Sequence, residues 1–442
     1  GISQDGRARG KLSAFISSLA LDKTFDGLTL SSLTGFNRIK YNWFSGLDQT
    51  TLSQLAQFEG QKSDEFSQEM RLTSDFDAPF NFMVGAYYQK TSIHMHQDVK
   101  LNDRNYNPAA DRYVSFETFA RQKGHTISAF AQAMYDISDT LELAGGARWT
   151  KERKRFRKNN AYGISVFNTL AATYPGSDGV GVLKGRFSDD NISPEATLTW
   201  RPDANHIVFA AYKTGYKSGG FGLTNPLQTS TQISAVDFES EKARGFELGA
   251  KGLFIDNRLR LSFAAFAYKF SDLQVNTYDP SLVAYTINNA GKVRQRGAEL
   301  EWNFKGNDIL SFHGAIAYVR NRFKDFTGQC YGYTFPTGSV RATAVPPPNC
   351  SFVNTNNLTL QQVFDGRAPA RSPDWSGNAG FVFDIPVGGL KLGIDLKIDK
   401  QTFKQRLAKM TSGDFDNVAA GWGPDFADPM TFAELKASWN EN

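Results

Sequence analysis

Apolar and polar side chains alternate along this chain, most clearly between residues 243 and 323. In 246–251, Phe, Leu and Ala occupy the even positions while Glu, Gly and Lys occupy the odd ones, and 298–304 repeats the arrangement. A period of two is typical of a β-strand with one apolar face, whereas a helix with these residues would carry charges around its whole circumference. The pattern predicts about four strands here and about fourteen in the chain, paired as hairpins.

The connections between the predicted strands alternate between short and long. Short turns rich in Asp, Asn, Gly and Pro are predicted at 22–27, 75–79, 136–140, 201–205, 255–257, 305–308 and 386–389. Long polar or aromatic connections are predicted at 44–63, 97–124, 158–189, 218–238, 275–290 and 324–371. Outer-membrane β-barrels have short turns on one side and long loops on the other, whereas a soluble sheet has no reason to keep every long loop at one end.

Composition supports the barrel. Aromatic residues make up 13% of the chain although its mean hydropathy is only −0.41, and no run of apolar residues is long enough for a transmembrane helix. A polar interior, an apolar outer band and aromatic girdles would give this mixture. Trp149, Trp200 and Trp302 end apolar rows and are predicted to be girdle residues. The alternative is a large soluble antiparallel sheet with one core face, which would alternate in the same way.

The net charge, the cysteines and the histidines limit the candidate binding partners and metal sites. A net charge of +4 is too small to predict nucleic-acid binding. Cys330 and Cys350 are the two cysteines, and both lie in one predicted long loop, which favours a disulfide over free thiols and implies an oxidising compartment. His94 and His96 form an HxH pair on a strand extension and are weak candidates for a copper or zinc site. With no third ligand in view, two ordinary loop or interior histidines are the favoured interpretation.

No enzyme is predicted. The chain has no GxSxG motif, and GYKSGGFG lacks the strand-GxxxxGK[ST]-helix context of a phosphate-binding loop. Glu247, Glu299 and Glu301 share the polar face, where carboxylates that interact with water and arginine are far commoner than a hydrolytic pair.

Several stretches resemble the barrel of TonB-dependent outer-membrane receptors, in particular the iron-siderophore receptors of Gram-negative bacteria. The most specific are YKTGYKSGGF (212–221) and ESEKARGFELGAKG (239–252); further pieces lie at 64–74, 145–156, 192–211, 289–304 and 371–386. The resemblance covers about 1–390. It implies a barrel of about 22 strands around a plug domain, which imports a ferric chelate or another scarce nutrient with energy passed on by TonB.

The chain departs from that family in two respects. It shows no plug domain and no segment for contact with TonB, and only about fourteen of about 22 strands are predicted. We therefore expect an internal part of a barrel, whose two open edges a bilayer does not tolerate. The TonB complex is an expected partner only through a plug outside this chain.

The tail, 391–442, changes character and predicts a short α/β segment. Its sequence resembles a lobe of periplasmic oligopeptide-binding proteins of ABC importers, with a W-x-x-D-[FY]-x-D-P motif at 422–429. The resemblance implies that Trp422 lines a peptide pocket and that Asp425 binds the peptide's amino terminus. So short a piece is not expected to form a working cleft. Two units are therefore predicted, a partial barrel over 1–390 and this fragment.

The basic run KERKRFRKNN (151–160) continues a strand past Trp149. Its lysines and arginines would suit lipopolysaccharide phosphates or the anionic groups of a ferric chelate, and a solvated charge run is an equally good interpretation.

The predicted protein is an all-β, antiparallel transmembrane barrel of the Gram-negative outer membrane that takes up a ferric siderophore or a similar nutrient. Outer-membrane lipid, lipopolysaccharide and a small-molecule ligand are its expected partners. No cofactor is predicted, since the ferric chelate would be cargo. The alternatives are a periplasmic peptide-binding protein of an ABC importer, favoured by the tail alone, and a plain outer-membrane porin.

Overall fold

The computed structural model describes most of the chain between residues 8 and 400. The described residues are 8–46, 55–101, 114–163, 181–228, 231–279, 284–330, 339–341, 343–353, 358, 360–387 and 390–400. The predicted helical tail, Trp422 and Asp425 lie outside them.

One antiparallel sheet of fourteen long strands dominates the fold. Its strands are β1 (Arg9–Phe25), β2 (Leu28–Gly46), β3 (Leu55–Ser74), β4 (Phe80–Leu101), β5 (Phe116–Ser138), β6 (Leu141–Gly163), β7 (Val182–Asp203), β8 (His206–Lys217), β11 (Glu241–Phe254), β12 (Leu259–Asp279), β13 (Ala284–Lys305), β14 (Leu310–Lys324), β18 (Trp375–Val387) and β19 (Leu390–Lys400). Each strand pairs with the next one in this order, and β1 and β19 are the edges. The predicted all-β hairpin architecture is confirmed, with the sheet open between its first and last strands.

Five short strands lie in two of the connections. Between β8 and β11, β9 (Gly220–Phe221) pairs with β10 (Asp237–Phe238) beside a 3₁₀ turn at Ile233–Ala235. Between β14 and β18, β17 (Leu360–Val363) pairs with both β15 (Thr327–Gln329) and β16 (Cys350–Phe352). Among the described residues, no helix has the length and apolar character needed to cross a bilayer.

Six of the predicted short turns lie together at one end of the sheet, which we call the short-turn end; the seventh, 386–389, lies partly outside the described residues. Strands β1 and β2 are joined by Asp26 and Gly27, and Gly27 has a φ of +69° that suits glycine. The turn after β11 uses Ile255, Asp256 and Asn257, all with positive φ. The positions of the turn residues between apolar stretches therefore predicted these hairpins correctly.

Four of the six predicted long connections are shorter than expected, because much of their sequence is strand; the connections predicted at 218–238 and 324–371 are at least as long as expected. Segment 275–290, predicted as a loop, belongs largely to β12 and β13, and β6 continues to Gly163. The expectation rested on polar composition, but a polar strand is stable wherever its backbone pairs with neighbours and its side chains reach water. Strands of about 20 residues are roughly twice the 9–11 residues that cross a bilayer. We call this other end of the sheet the long-loop end.

The two faces of the sheet differ as predicted. The apolar face is the one that carries Phe246 and Leu248, and many of its large side chains keep between 37% and 67% of their surface exposed. They are Phe80, Val84, Tyr88, Ile127, Tyr135, Leu143, Trp149, Ile192, Leu198, Trp200, Phe246, Leu248, Phe254, Phe263, Phe312 and Ile316. A soluble sheet would bury such a surface under a second layer, and an exposed apolar area of this size indicates contact with lipid or protein.

The opposite, polar face carries paired charges. Glu247 accepts hydrogen bonds from the Lys213 Nζ at 2.7 Å and from the Tyr268 hydroxyl at 2.6 Å. This carboxylate is thus held by neighbouring strands, as expected for an interior wall.

The predicted girdle tryptophans all lie on the apolar face, at two levels. Trp200 pairs with Leu141 and Trp302 pairs with Leu261, near the short-turn end. Trp149 lies further along, opposite Ile192. Trp375, which was not among the predicted girdle residues, also lies on this face. It is 62% exposed and packs against Tyr318 at 4.7 Å between ring centroids.

The connection between β14 and β18 forms a small unit of its own. Cys330 and Cys350 are joined by a disulfide, and Phe323, Phe326 and Phe364 pack together at its base. The disulfide closes a loop that spans residues outside the described part of the chain.

Replacing Cys350 by serine is expected to destabilise this unit by about 2–4 kcal/mol, because the open chain gains loop entropy. Limited proteolysis between residues 330 and 350, compared with the unreduced parent and with a Ser351→Ala control, measures the effect. Equal cleavage of all three proteins would contradict it.

Strand β19 lies beyond the predicted domain boundary at residue 390 and pairs with β18 along its whole length. The sheet therefore extends to Lys400. Where the tail fragment begins remains a prediction.

Candidate functional site on the polar face

The basic run 151–160 lies in β6, and strand geometry divides it between the two faces. The odd positions, among them Arg153, Arg155 and Arg157, lie on the apolar side together with Trp149. The even positions, Lys154, Phe156, Lys158 and Asn160, lie on the polar side near the long-loop end. A sequence run that looked uniform is therefore two separate surfaces.

The even positions hold the connection between β8 and β11 against the sheet. The Lys154 Nζ donates to the Ser218 Oγ at 2.7 Å and to the Gly219 carbonyl at 2.6 Å. Lys158 donates to the Leu223 carbonyl. Two positions further on, the Asn160 amide donates to the Leu227 carbonyl at 2.9 Å. One strand face thus binds the backbone carbonyls of Gly219, Leu223 and Leu227. We call the connection between β8 and β11, described at 218–228 and 231–240, the docked loop.

An apolar cluster lies between these polar contacts. The rings of Phe156 and Phe221 stack 4.8 Å apart at 12° to each other, and Phe156 is 1% exposed. Leu183 and Leu227 are fully buried beside them. A Cβ atom at Gly185 would collide with the Phe221 ring, so the absence of a side chain in β7 makes room for it. The loop is therefore packed like a protein core and positioned by both apolar and polar contacts.

The two ends of the docked loop are clamped by neighbouring strands. The Gln274 side-chain amide donates to the carbonyls of Ser218 and Glu239, each at 3.0 Å. Asn289 both accepts from the Glu239 N–H at 2.7 Å and donates to its carbonyl at 2.9 Å. Strands β12 and β13 thus fix the points at which the chain leaves and rejoins the sheet.

A second clamp joins β7 to the loop. Asp189 accepts hydrogen bonds from the Ser240 hydroxyl at 2.5 Å and from the Tyr216 hydroxyl at 3.2 Å. Burial raises the pKa of Asp189, but the hydrogen bonds from Ser240, the Asp190 backbone and Tyr216 outweigh burial and leave the pKa below its ordinary value. The ionised carboxylate is the form that these donors stabilise.

Lys158 is the most perturbed group of the site. Its side chain is completely buried, and burial lowers its pKa from 10.5 to about 7, against a smaller opposite effect of Glu59. Burial in turn raises the pKa of Glu59 on β3. Both groups lie at the long-loop end of the sheet. The docked loop covers Lys158, whose ammonium group donates to the Leu223 carbonyl.

Docking of the loop is expected to depend on pH through Lys158. A released loop returns this lysine to water, where its pKa is near 10.5, so between about pH 7 and pH 10.5 the released state binds more protons than the docked one. The docked state should therefore gain stability as the pH rises through this window, by up to roughly tenfold in population per pH unit, and show no such dependence below it.

Limited proteolysis of the docked loop at several pH values, normalised to an unstructured peptide, measures this dependence. The variant Lys158→Met should bind the loop without the pH dependence. The same slope in the parent and in the variant would show that another group is responsible.

The predicted HxH pair does not form one site. His94 and His96 lie on the apolar side of β4 at the long-loop end, where the His94 Nε2 lies 3.3 Å from the Ser92 Oγ. The His96 Nε2 instead lies 3.1 Å from both an Asp98 oxygen and a Glu117 oxygen. The three groups could hold a divalent cation, and they equally form an ion-paired cluster when His96 is protonated.

Neighbouring rings orient this histidine. The Phe119 ring stacks on His96 at 4.4 Å, and the Phe58 ring meets its edge at 5.4 Å. Glu117 was not predicted from the sequence to lie near His96. The two residues are on different strands and come together only through the register of β4 with β5.

Taken together, the polar face offers a rigid, polar wall with a docked loop rather than a set of reactive groups. Lys158 and Asp189, two groups whose pKa values are shifted, both contact the docked loop, through Leu223 and Ser240 respectively. Such a surface suits the binding and passage of a solute. The docked loop was predicted only as a long connection, although the alternation of Lys154, Phe156 and Lys158 in a polar-face row was a usable signal.

A family model described as "TonB dependent receptor-like, beta-barrel" matches residues 3–442. The chain belongs to this family. Its barrels lie in the outer membrane of Gram-negative bacteria, and its members are transporters and not enzymes.

Two individual proteins show how the chain relates to whole receptors. The probable TonB-dependent siderophore receptor PiuA of Acinetobacter baumannii is 23% identical over 291 residues, which are 58% of this chain and 36% of that protein. The solved structure of the ferric yersiniabactin uptake receptor FyuA from Yersinia pestis superposes with a TM-score of 0.64 at 16% identity, over 88% of this chain and 50% of the other. The chain therefore shares its fold with both, and it spans about a third to a half of their lengths.

A third relative belongs to another class. The dipeptide-binding protein of Lactococcus lactis is 44% identical to this receptor over 43 residues, which are 10% of this chain and 8% of that protein. The family model nevertheless extends to residue 442.

Proposed function

We propose that this chain is the barrel part of an outer-membrane receptor that imports a ferric siderophore or a similar scarce nutrient. The observation that carries the proposal is a fourteen-stranded sheet with an exposed apolar face on one side and a polar wall with a docked loop on the other. A lipid bilayer covers the first surface, and the second lines the path of the solute. The likeness to siderophore receptors supports the choice of cargo.

In this proposal the short-turn end faces the periplasm and the long-loop end faces outward. The small-molecule ligand is captured at the long-loop end, where the docked loop and the disulfide-linked unit lie. A plug domain gates passage and the TonB complex supplies energy, as in the family to which the chain belongs. The ferric chelate is cargo, so no resident cofactor is needed.

Uptake of radioactively labelled ferric siderophores by cells that carry or lack the gene tests the proposal. We expect iron uptake to require the gene, to require TonB and to stop on loss of the inner-membrane proton gradient. Uptake that needs neither TonB nor the gradient, together with passage of unrelated small solutes, would favour the porin alternative instead.

The tail supports a second, narrower proposal, that residues from about 391 derive from a peptide-binding protein. The 43-residue likeness to a dipeptide-binding protein supports it. Asp425 is proposed to bind a peptide amino terminus, and Trp422 to line the peptide pocket. A peptide-induced rise in melting temperature that is lost in Asp425→Asn would support a working cleft; no shift with any dipeptide would count against one.

A further inference from the structure

The outward half of the basic run forms a cationic patch that sequence inspection does not reveal. Strand register places Arg121 on β5, Arg157 on β6 and Lys184 on β7 directly opposite one another. Two residues nearer the short-turn end, Lys123, Arg155 and Arg186 form a second such row. All six side chains are exposed on the apolar side of the sheet. We call these six residues the cationic patch.

The patch is unfavourable for the isolated protein. Like charges directly opposite one another on neighbouring strands destabilise a sheet. Within the described part of the chain, five of the six, all but Lys184, make no hydrogen bond or ion pair with a carboxylate. Cations nearby on the same face do have such partners: Lys151 with Asp190 at 3.2 Å, and Arg38 with Asp64 at 2.6 Å. The repulsion is thus concentrated at one place, which implies an external anion.

The position of the patch identifies where that anion comes from. Four to six residues nearer the short-turn end along the same strands, this face carries Ile127, Trp149 and Ile192, which are 51%, 39% and 67% exposed; the polar row of His125, Arg153 and Ser188 lies between them and the patch. Ile127, Trp149 and Ile192 belong to the apolar surface that a bilayer covers. A group that reaches the patch therefore belongs to a molecule that lies beside the barrel in the outer leaflet, and a chelate inside the barrel cannot reach it.

We infer that the cationic patch binds the phosphate groups of lipopolysaccharide in the outer leaflet. Neighbouring strands lie about 4.8 Å apart and alternate residues about 7 Å apart, so the patch presents six cations over roughly 10 Å by 7 Å. Four of the six are arginines, whose planar guanidinium groups bind phosphate oxygens bidentately. The inference rests on the proposed membrane location, and it assigns the lipid partner of this surface.

The same change from apolar to cationic residues occurs on the other half of the sheet. Arg244 on β11, Lys269 on β12 and Arg294 on β13 form a row directly above Phe246 and its neighbours. In strand register this row lies level with Ala147 on β6, about eight residues nearer the short-turn end than Arg155, so it is a separate cationic surface and not part of the patch.

The test uses the receptor expressed from its own gene and isolated from outer membranes in detergent. One variant replaces all six patch residues by glutamine, and a milder one carries only Lys123→Gln, Arg155→Gln and Arg186→Gln. A charge-matched control replaces three exposed cations of the polar face, Lys217, Lys251 and Arg260, by glutamine. Heat-modifiable migration checks that every variant folds.

Binding is measured with purified lipopolysaccharide, the same lipopolysaccharide after enzymatic removal of its phosphates, phosphatidylglycerol vesicles and inorganic phosphate. We expect the six-residue variant to bind lipopolysaccharide at least about tenfold more weakly than the parent, the three-residue variant to fall between them and the control to match the parent. Removal of the phosphates should weaken binding to the parent to a similar degree.

Equal lipopolysaccharide binding by the six-residue variant and the control would overturn the inference. So would equal binding of phosphorylated and dephosphorylated lipopolysaccharide, or equally tight binding of phosphatidylglycerol or free phosphate. Siderophore uptake is measured in the same variants. Uptake that persists while lipopolysaccharide binding falls separates the two proposals, and absent uptake with intact lipid binding would count against the transport function alone.

Discussion

Replacing Phe156 by alanine is expected to release the docked loop from the polar face of the sheet. The ring is 1% exposed and stacks on Phe221, and Leu183 and Leu227 line the same cluster, so truncation leaves a cavity that the rigid strands cannot close. Losses of about 3–5 kcal/mol are typical for a buried Phe→Ala change. Hydrogen exchange of the amides in 218–228 measures the effect, which should leave the pairing of β6 with β7 intact.

Phe246→Ala is the matched control, because that ring is 66% exposed on the opposite face. Its exchange in the docked loop should equal that of the parent. Unchanged protection of the loop in Phe156→Ala would mean that the polar contacts of Lys154 and Asn160 suffice to hold it, and the packing argument would be wrong.

Replacing Leu248 by arginine is expected to destabilise the membrane-embedded receptor by about 2–4 kcal/mol, the cost of a cation near the middle of the bilayer. Leu248 is 54% exposed on the apolar face, six residues from the end of β11 at the short-turn end. The penalty should appear as a lower denaturant midpoint in lipid vesicles and as poorer assembly into the outer membrane.

Leu33→Arg provides the control at a similar distance from the short-turn end. Leu33 is also exposed, at 45%, but register places it opposite Glu69 on the polar face. Leu33→Arg should therefore lower the stability of the protein much less than Leu248→Arg does. Equal losses for the two variants would mean that both faces meet the same solvent, and the assignment of the apolar face to lipid would fail.

The hairpins and the two faces could be predicted from sequence because both are local properties. A period of two assigns each side chain to a face, and Asp, Asn and Gly mark the turns at 26–27 and 255–257 regardless of what the rest of the chain does. Loop lengths could not be predicted as well, since polar strands beyond the bilayer resemble loops in composition. The contact of His96 with Glu117 could not be predicted from the sequence, because Glu117 lies on β5 and meets the histidine only through the register of β4 with β5.

The sequence by itself determined that β6 carries a basic run and that alternate residues of this run lie on opposite faces. Only the tertiary structure decided what each half contacts. Lys154, Phe156 and Lys158 meet a loop that is about 65 residues away in sequence, while Arg155 and Arg157 meet like charges on β5 and β7. The physical reason is that strand periodicity is local, whereas register and loop docking depend on pairing and packing between distant segments, which no single stretch of sequence encodes.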